Sequence, residues 1–243
     1  MVSEPIVIEN LTVRYGKSVA LDGLSLKVRE GEIFGFLGPN GAGKTTTIKV
    51  LLGLVYGESG TVRVHGLSPT DCGARRRIGY LPEEAAYYRF LTPLEILRFY
   101  GALFRIPRRV LNDRIADLLR LVGLAEVARR PLATFSKGMV QKVGLAQALV
   151  NDPDTLILDE PTSGLDPLSR MELRRLLLDL KSRGKTLFVS SHELSEIELI
   201  CDEVAIIRSG RMVRTGRLKD IMGSASGVSL ERFFIETVSG GAS

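Results

Sequence analysis

The sequence has no tryptophan, two histidines and two cysteines, and each scarcity removes a class of protein. Cys72 and Cys201 stand far apart with no histidine near either, so neither a disulfide framework nor a zinc module organises the chain. Two reduced thiols in a cytosolic protein are expected instead. Long apolar runs are also missing. A spanning helix needs about 20 consecutive apolar residues, whereas the longest stretches, Ile33–Leu37 and Thr155–Leu158, are strand-length and bounded by glycine or charge. The opening Met1-Val2-Ser3-Glu4-Pro5 lacks the basic and apolar regions of a signal peptide. If the protein works at a membrane, another chain is expected to supply the span. Charge of one sign does not dominate either. There are 33 basic and 28 acidic residues in 243, a net charge of +5. Arginine outnumbers lysine by 24 to 9, spread along the chain apart from the run Arg75-Arg76-Arg77. Such a balance suits nucleic acid, an anionic membrane surface or a polyphosphate, and composition alone leaves the choice open. At 44% hydrophobic and 25% charged, the chain is neither disordered nor fibrous.

What is present is an alternation of strand and helix. Ile6–Val13 is rich in β-branched residues and Leu24–Val28 alternates apolar with polar, which predicts an N-terminal antiparallel β region. Ile33–Leu37 and Thr155–Leu158 are continuous apolar runs of the kind buried on both faces of a parallel sheet, joined by Thr186–Val189 and Val204–Ile207. Between Thr92 and Leu149 the character is helical. Thr92 with Pro93 marks one helix start, and Ile115, Leu118, Leu119 and Val122 share a face closed by Gly123. Leu173, Leu176, Leu177 and Leu180 mark a further amphipathic helix. The expectation is an α/β fold: a core lobe with a mostly parallel sheet (1–82 and 152–222), an inserted helical subdomain (83–151) and a C-terminal tail (223–243). The tail is read as weakly ordered, with Phe233-Phe234-Ile235 as a docking segment.

Gly38-Pro39-Asn40-Gly41-Ala42-Gly43-Lys44-Thr45, followed by Thr46, fits G-x-x-x-x-G-K-[ST] between a buried strand and a helix. Glycines let backbone N–H groups turn around phosphate oxygens, and the helix presents its positive end to the anion. Lys44 is expected on the β- and γ-phosphates of a nucleoside triphosphate and the Thr45 hydroxyl on Mg²⁺, so the α/β core is expected to be that of a P-loop NTPase. Leu156-Ile157-Leu158-Asp159-Glu160 supplies the complementary half. Asp159 is expected to hold the metal and Glu160, one residue further, to orient or deprotonate the attacking water.

The ordered set Tyr15, Gly38–Thr46, Glu83, Ser136–Gln141, Asp159–Glu160, Ser163–Asp166 and His192 resembles the ATP-binding subunit of an ABC transporter, over roughly residues 6 to 216. Ser136-Lys137-Gly138-Met139 sits where the family has its LSGGQ signature, keeping the serine and the second glycine. The resemblance implies a head-to-tail dimer with ATP between one cradle and the partner's Ser136, Lys137 and Gly138. It implies adenine stacking on Tyr15, whose other reading is a strand tyrosine packing on a neighbour. It also implies a γ-phosphate-sensing role for His192, and a subunit-communicating loop ending at Asp166. Glu83 stands where the family usually has glutamine: its carboxylate can bind a metal but cannot donate an amide hydrogen bond, its charge changes the site, and a hinge role is compatible with either residue. The Pro-Glu-Glu sequence, the signature and Leu230–Phe234 together resemble the bacterial exporter branch. The function implied is an ATPase, peripheral at the cytoplasmic face of the membrane, driving export through a separate integral membrane permease and paired with a second copy or a homologous subunit. No nucleic acid is expected. The alternatives are a soluble relative acting on ribosomes or DNA, and a module that uses nucleotide only structurally.

Overall fold

Residues 3–222 and Phe234 are described by the computed structural model. β1 (Ile6–Tyr15) pairs antiparallel with β2 (Ser18–Val28) and with β4 (Ser59–Val64), giving a three-stranded sheet of order β2-β1-β4. The second sheet has six strands. Its order is β5-β6-β7-β3-β8-β9, from β3 (Ile33–Leu37), β5 (Ile78–Leu81), β6 (Thr155–Asp159), β7 (Thr186–Ser191), β8 (Glu203–Arg208) and β9 (Arg211–Arg217). All neighbours are parallel except β8 and β9.

The apolar runs read from the sequence occupy the middle of this sheet, and every residue of β3, β6 and β7 is buried. Because side chains alternate along a strand, each strand feeds two cores. Phe34 and Phe36 of β3 and Phe188 of β7 face the antiparallel sheet and α1 (Lys44–Leu51), with Phe34 and Phe188 stacked at 5.8 Å. Ile33, Leu37 and Val189 face the opposite layer. That layer comprises α3 (Pro93–Leu103), α4 (Arg108–Leu121), α5 (Lys137–Ala148), α6 (Pro167–Ser182) and α7 (Leu194–Ile200). Helices α3 to α5 lie in the connection between the adjacent strands β5 and β6. Leu97 of α3, Ile115 of α4 and Leu145 of α5 belong to the same apolar cluster as Leu156 and Leu158 of β6, so the inserted helices share the core of the sheet. Thr92 caps α3 in a reciprocal box with Glu95, as Thr92-Pro93 suggests.

Several elements escape the sequence reading. α2 (Cys72–Arg76) is a short helix started by Asp71, whose carboxylate accepts from the Gly73 amide at 2.6 Å. α7 and α8 (Leu218–Met222) are likewise short. β9 carries three arginines and a glycine, a poor strand pattern. It forms because Ser209 and Gly210, at φ 49° and 78°, make the two-residue hairpin turn that folds it back on β8. Of the segment expected to dock, Phe234 packs against the larger apolar cluster. Phe233, Ile235 and the rest of the 223–243 tail lie outside the described residues.

Candidate active site

Four parallel strands deliver the site. The chain leaves the carboxyl ends of β3, β5, β6 and β7 and enters, respectively, the phosphate cradle, the loop with Glu83, the turn at Asp159–Glu160 and the turn at His192. Open α/β sheets present ligand crevices at this edge. A cleft of about 400 Å³ lies there, lined by Pro39, Asn40, Gly41, Gly43, Lys44, Thr45, Thr46, Glu83, Asp159, Glu160 and His192, together with Ala20 of β2.

The cradle has little room for anything but glycine at its two fixed positions. Gly43, just before α1, has φ 113°, and a Cβ there would stand 2.7 Å from Leu21 Cδ2 and 2.9 Å from the Ala20 carbonyl. A Cβ on Gly38 would lie 2.5 Å from the Ile207 carbonyl. β2 and β8 therefore clamp the loop from both sides. Ala42 is buried under the loop, while Thr45 opens toward the cleft.

Lys44 is buried, and its ammonium donates to the Gly38 carbonyl at 2.6 Å and pairs with Glu160 Oε1 at 3.3 Å. The other oxygen of Glu160 accepts from the His192 backbone N–H at 3.2 Å and lies 2.8 Å from His192 Nδ1. A carboxylate only accepts, so this contact places the hydrogen on Nδ1 and leaves Nε2 as the acceptor of the neutral ring. Glu160 itself sits at φ 45°, the left-handed region that an ordinary residue enters at a cost of about 1 kcal/mol or more. Its amide is held in that turn by the Ser190 hydroxyl at 3.0 Å. The same hydroxyl donates to Asp159 Oδ1 at 2.6 Å. Ser190 thus fixes both carboxylate residues, a role that the sequence pattern does not reveal.

Burial pushes the Asp159 carboxyl above its ordinary range; the Ser190 hydrogen bond opposes that shift, and the charges of Glu160 and Glu83 add to it. Three carboxylates face one lysine here, so the cleft favours a cation. Asp159, Glu83 and the Thr45 hydroxyl are hard oxygen donors of the kind Mg²⁺ selects. Among the described residues no group of three His, Cys, Asp or Glu side chains forms a metal site unaided.

The remaining expected site residues lie outside this cleft. Tyr15 is exposed at the end of β1. Ser136 caps α5, its hydroxyl accepting from the Met139 amide at 3.3 Å, and Ser136 and Lys137 are exposed. Gly138 is packed so closely on Ser169 that a Cβ would meet its Oγ at 2.4 Å. Asp166 is occupied with capping α6, accepting from the Leu168 and Ser169 amides at 3.1 and 3.0 Å and from the Ser169 hydroxyl at 2.6 Å. Those bonds from Ser169 hold its carboxyl below the usual range. Arg170, also missed, bonds the Leu165 carbonyl at 2.9 Å and pairs with Glu193 beside His192. It ties the Ser163–Asp166 loop to the turn that carries the histidine.

Comparison with known proteins agrees with this geometry. A family profile described as "ABC transporter" matches residues 21–163. An uncharacterized ABC transporter ATP-binding protein of Nostoc sp. is 49% identical over 210 residues, which are 86% of this chain and 63% of that protein. The chain therefore spans about three fifths of that relative's length. The linearmycin resistance ATP-binding protein of Bacillus subtilis is 38% identical over 234 residues, covering 96% of this chain and 74% of its own. A solved structure of the ATP binding subunit of an ABC transporter matches with a TM-score of 0.86 at 32% identity, covering 96% of this chain and 99% of that one.

Proposed function

Because this chain belongs to the ABC transporter family, we propose that it binds and hydrolyses ATP to drive export of a substrate through a separate membrane permease. The observation that carries the reading is the Lys44–Glu160–His192 chain of contacts at the mouth of the cradle, in which Lys44 and Glu160 are buried and His192 opens to the cleft. It sets a phosphate-binding cation, a carboxylate base and a histidine in mutual reach. In this reading the cradle amides and Lys44 take the phosphates. Thr45, Asp159 and Glu83 hold Mg²⁺, which neutralises phosphate charge when bound. Glu160 takes the proton of the attacking water, and His192 keeps its carboxylate aimed and senses the terminal phosphate.

The exposed Ser136 and Lys137 supply a reason for a second subunit, identical or homologous. An α-helix N-terminus with a serine hydroxyl and a lysine is an anion cap, yet it lies outside the chain's own cleft. A head-to-tail dimer gives it a cradle to close, with Tyr15 on the adenine and Asp166 in the loop between subunits. The permease would dock in the neighbouring groove of about 370 Å³ formed by residues including Ala85, Tyr87, Leu132 and Phe135. We read residues 83–151 as the lobe that meets it. No helix among the described residues is long and apolar enough to cross a membrane, so the chain would sit on the cytoplasmic face through that contact. A relative named for linearmycin resistance supports export as the direction. The alternative, action on ribosomes or DNA, gains no support from the relatives. Transport by the reconstituted complex is the test: it should cease with Glu160→Gln, and transport unaffected by that change would disprove the reading.

A further inference from the structure

The net charge is concentrated in one part of the chain. Residues 83–151 hold eleven basic and six acidic side chains, an excess of five, while the rest of the sequence balances at 22 of each. This segment therefore accounts for the whole +5. Folding gathers its arginines along α3. The Ala133 amide donates to the Arg89 carbonyl at 2.7 Å and the Leu94 amide to the Ala128 carbonyl at 3.2 Å, so Arg89, Arg129 and Arg130 collect near the start of the helix. Arg105, Arg108 and Arg109 stand past its other end, about 16 Å away for an 11-residue helix. All six are exposed, and none pairs with a described carboxylate. Arg105 even occupies φ 56°, a backbone position that favours glycine. Between the two clusters, Phe99 and Leu103 are more than half exposed, and Phe104 follows them into the turn.

Aromatic rings set among unpaired arginines are the make-up of surfaces that lie in a membrane interface. We propose that the outer edge of α3 and the turn into α4 bind anionic phospholipid headgroups directly, beside the permease contact. Lipid fits the charge better than the permease does, because cytoplasmic loops of membrane proteins carry an excess of Lys and Arg and would repel this edge. The inner leaflet is negative and attracts it. The proposal rests on the reading of the chain as a permease-bound subunit.

The test is co-sedimentation of the full chain, without permease, on phosphatidylcholine vesicles with and without 30% phosphatidylglycerol. Binding should require phosphatidylglycerol and weaken at high salt. Each arginine near such a surface is worth about fivefold in affinity, so Arg105→Gln/Arg108→Gln/Arg109→Gln together should weaken binding about a hundredfold. Basal ATPase should stay unchanged in that variant, since none of the three lines the cleft. Phe99→Ser/Phe104→Ser, which keeps the charge, should weaken binding several-fold. Equal binding to neutral vesicles, or undiminished binding by the triple variant, would overturn the proposal. So would binding to RNA or an acidic peptide in the absence of vesicle binding. Lost vesicle binding with permease co-purification intact would sink the lipid surface alone, whereas failure to find any permease partner would sink the transporter reading.

Discussion

Replacing Glu160 by glutamine separates its two jobs. In the structure its Oε1 lies 3.3 Å from the Lys44 ammonium, both side chains being buried. At an effective dielectric of about 20, unit charges at that distance attract by about 5 kcal/mol before desolvation is counted. The glutamine carbonyl still accepts from Lys44, and a hydrogen bond to a charged group retains about 1.5–3 kcal/mol of this. The nucleotide-free variant is therefore destabilised by about 2–3 kcal/mol, which in a domain of this size lowers Tm by about 5–10 °C. Once ATP is bound, its phosphates occupy Lys44 and the deficit disappears. By linkage the variant should bind ATP about 30- to 150-fold more tightly than the wild type. Loss of the base should meanwhile cut turnover by about 10²–10⁴. Calorimetric titration with ATP, thermal melts with and without it, and phosphate release measure all three quantities. Light scattering should also show a dimer that persists in ATP. Turnover within tenfold of the wild type would show that Glu160 is not the base, and no gain in ATP affinity would show that it does not compete for Lys44.

Gly43→Ala meets Leu21 and the Ala20 carbonyl at φ 113°, so it should cost about 2–4 kcal/mol in a melt and abolish ATP binding. Retained binding would mean that the clamp by β2 is loose. Ser190→Ala removes the hydroxyl that joins Asp159 to the Glu160 amide, and should lower kcat about tenfold with KM for ATP little changed. A change in KM alone would contradict that positioning role. Burial, followed by the charge of Arg77, holds His65 below the ordinary histidine value of 6.5, with its Nε2 2.9 Å from the Thr155 hydroxyl. Around that pH the unfolded chain binds more protons than the folded one, so this group's contribution falls as pH drops below it. His65→Asn, which tolerates the residue's φ of 50°, should flatten the loss of Tm between pH 7 and 5.5. An unchanged pH slope would count against it.

Much of the site was legible because its signals are local. A glycine-rich turn between a buried strand and a helix is a backbone requirement, and it appears in the sequence as Gly38–Thr45. The apolar runs of β3, β6 and β7 announce burial on both faces. β9 was not legible, since its partner β8 and a turn at positive φ make it a strand against its own arginine-rich composition. Asp166 shows the opposite limit. The family resemblance puts it in a loop between subunits, and what the sequence pattern does not reveal is that both of its carboxylate oxygens also accept the bonds that cap α6.

The α/β alternation, the phosphate cradle and the identity of the acidic residues can be read along the chain, because spacing and residue type act over a turn or a strand. Folding alone brought Lys44 and Glu160, far apart in the chain, together as a buried pair. It did so through the strand order β5-β6-β7-β3, which sets four loops side by side at one sheet edge. The same holds for what first looked like scattered arginine. Composition left its partner open, and the packing of α3 and its neighbouring loops collected it into one exposed edge, because charge becomes a surface only after the chain has folded.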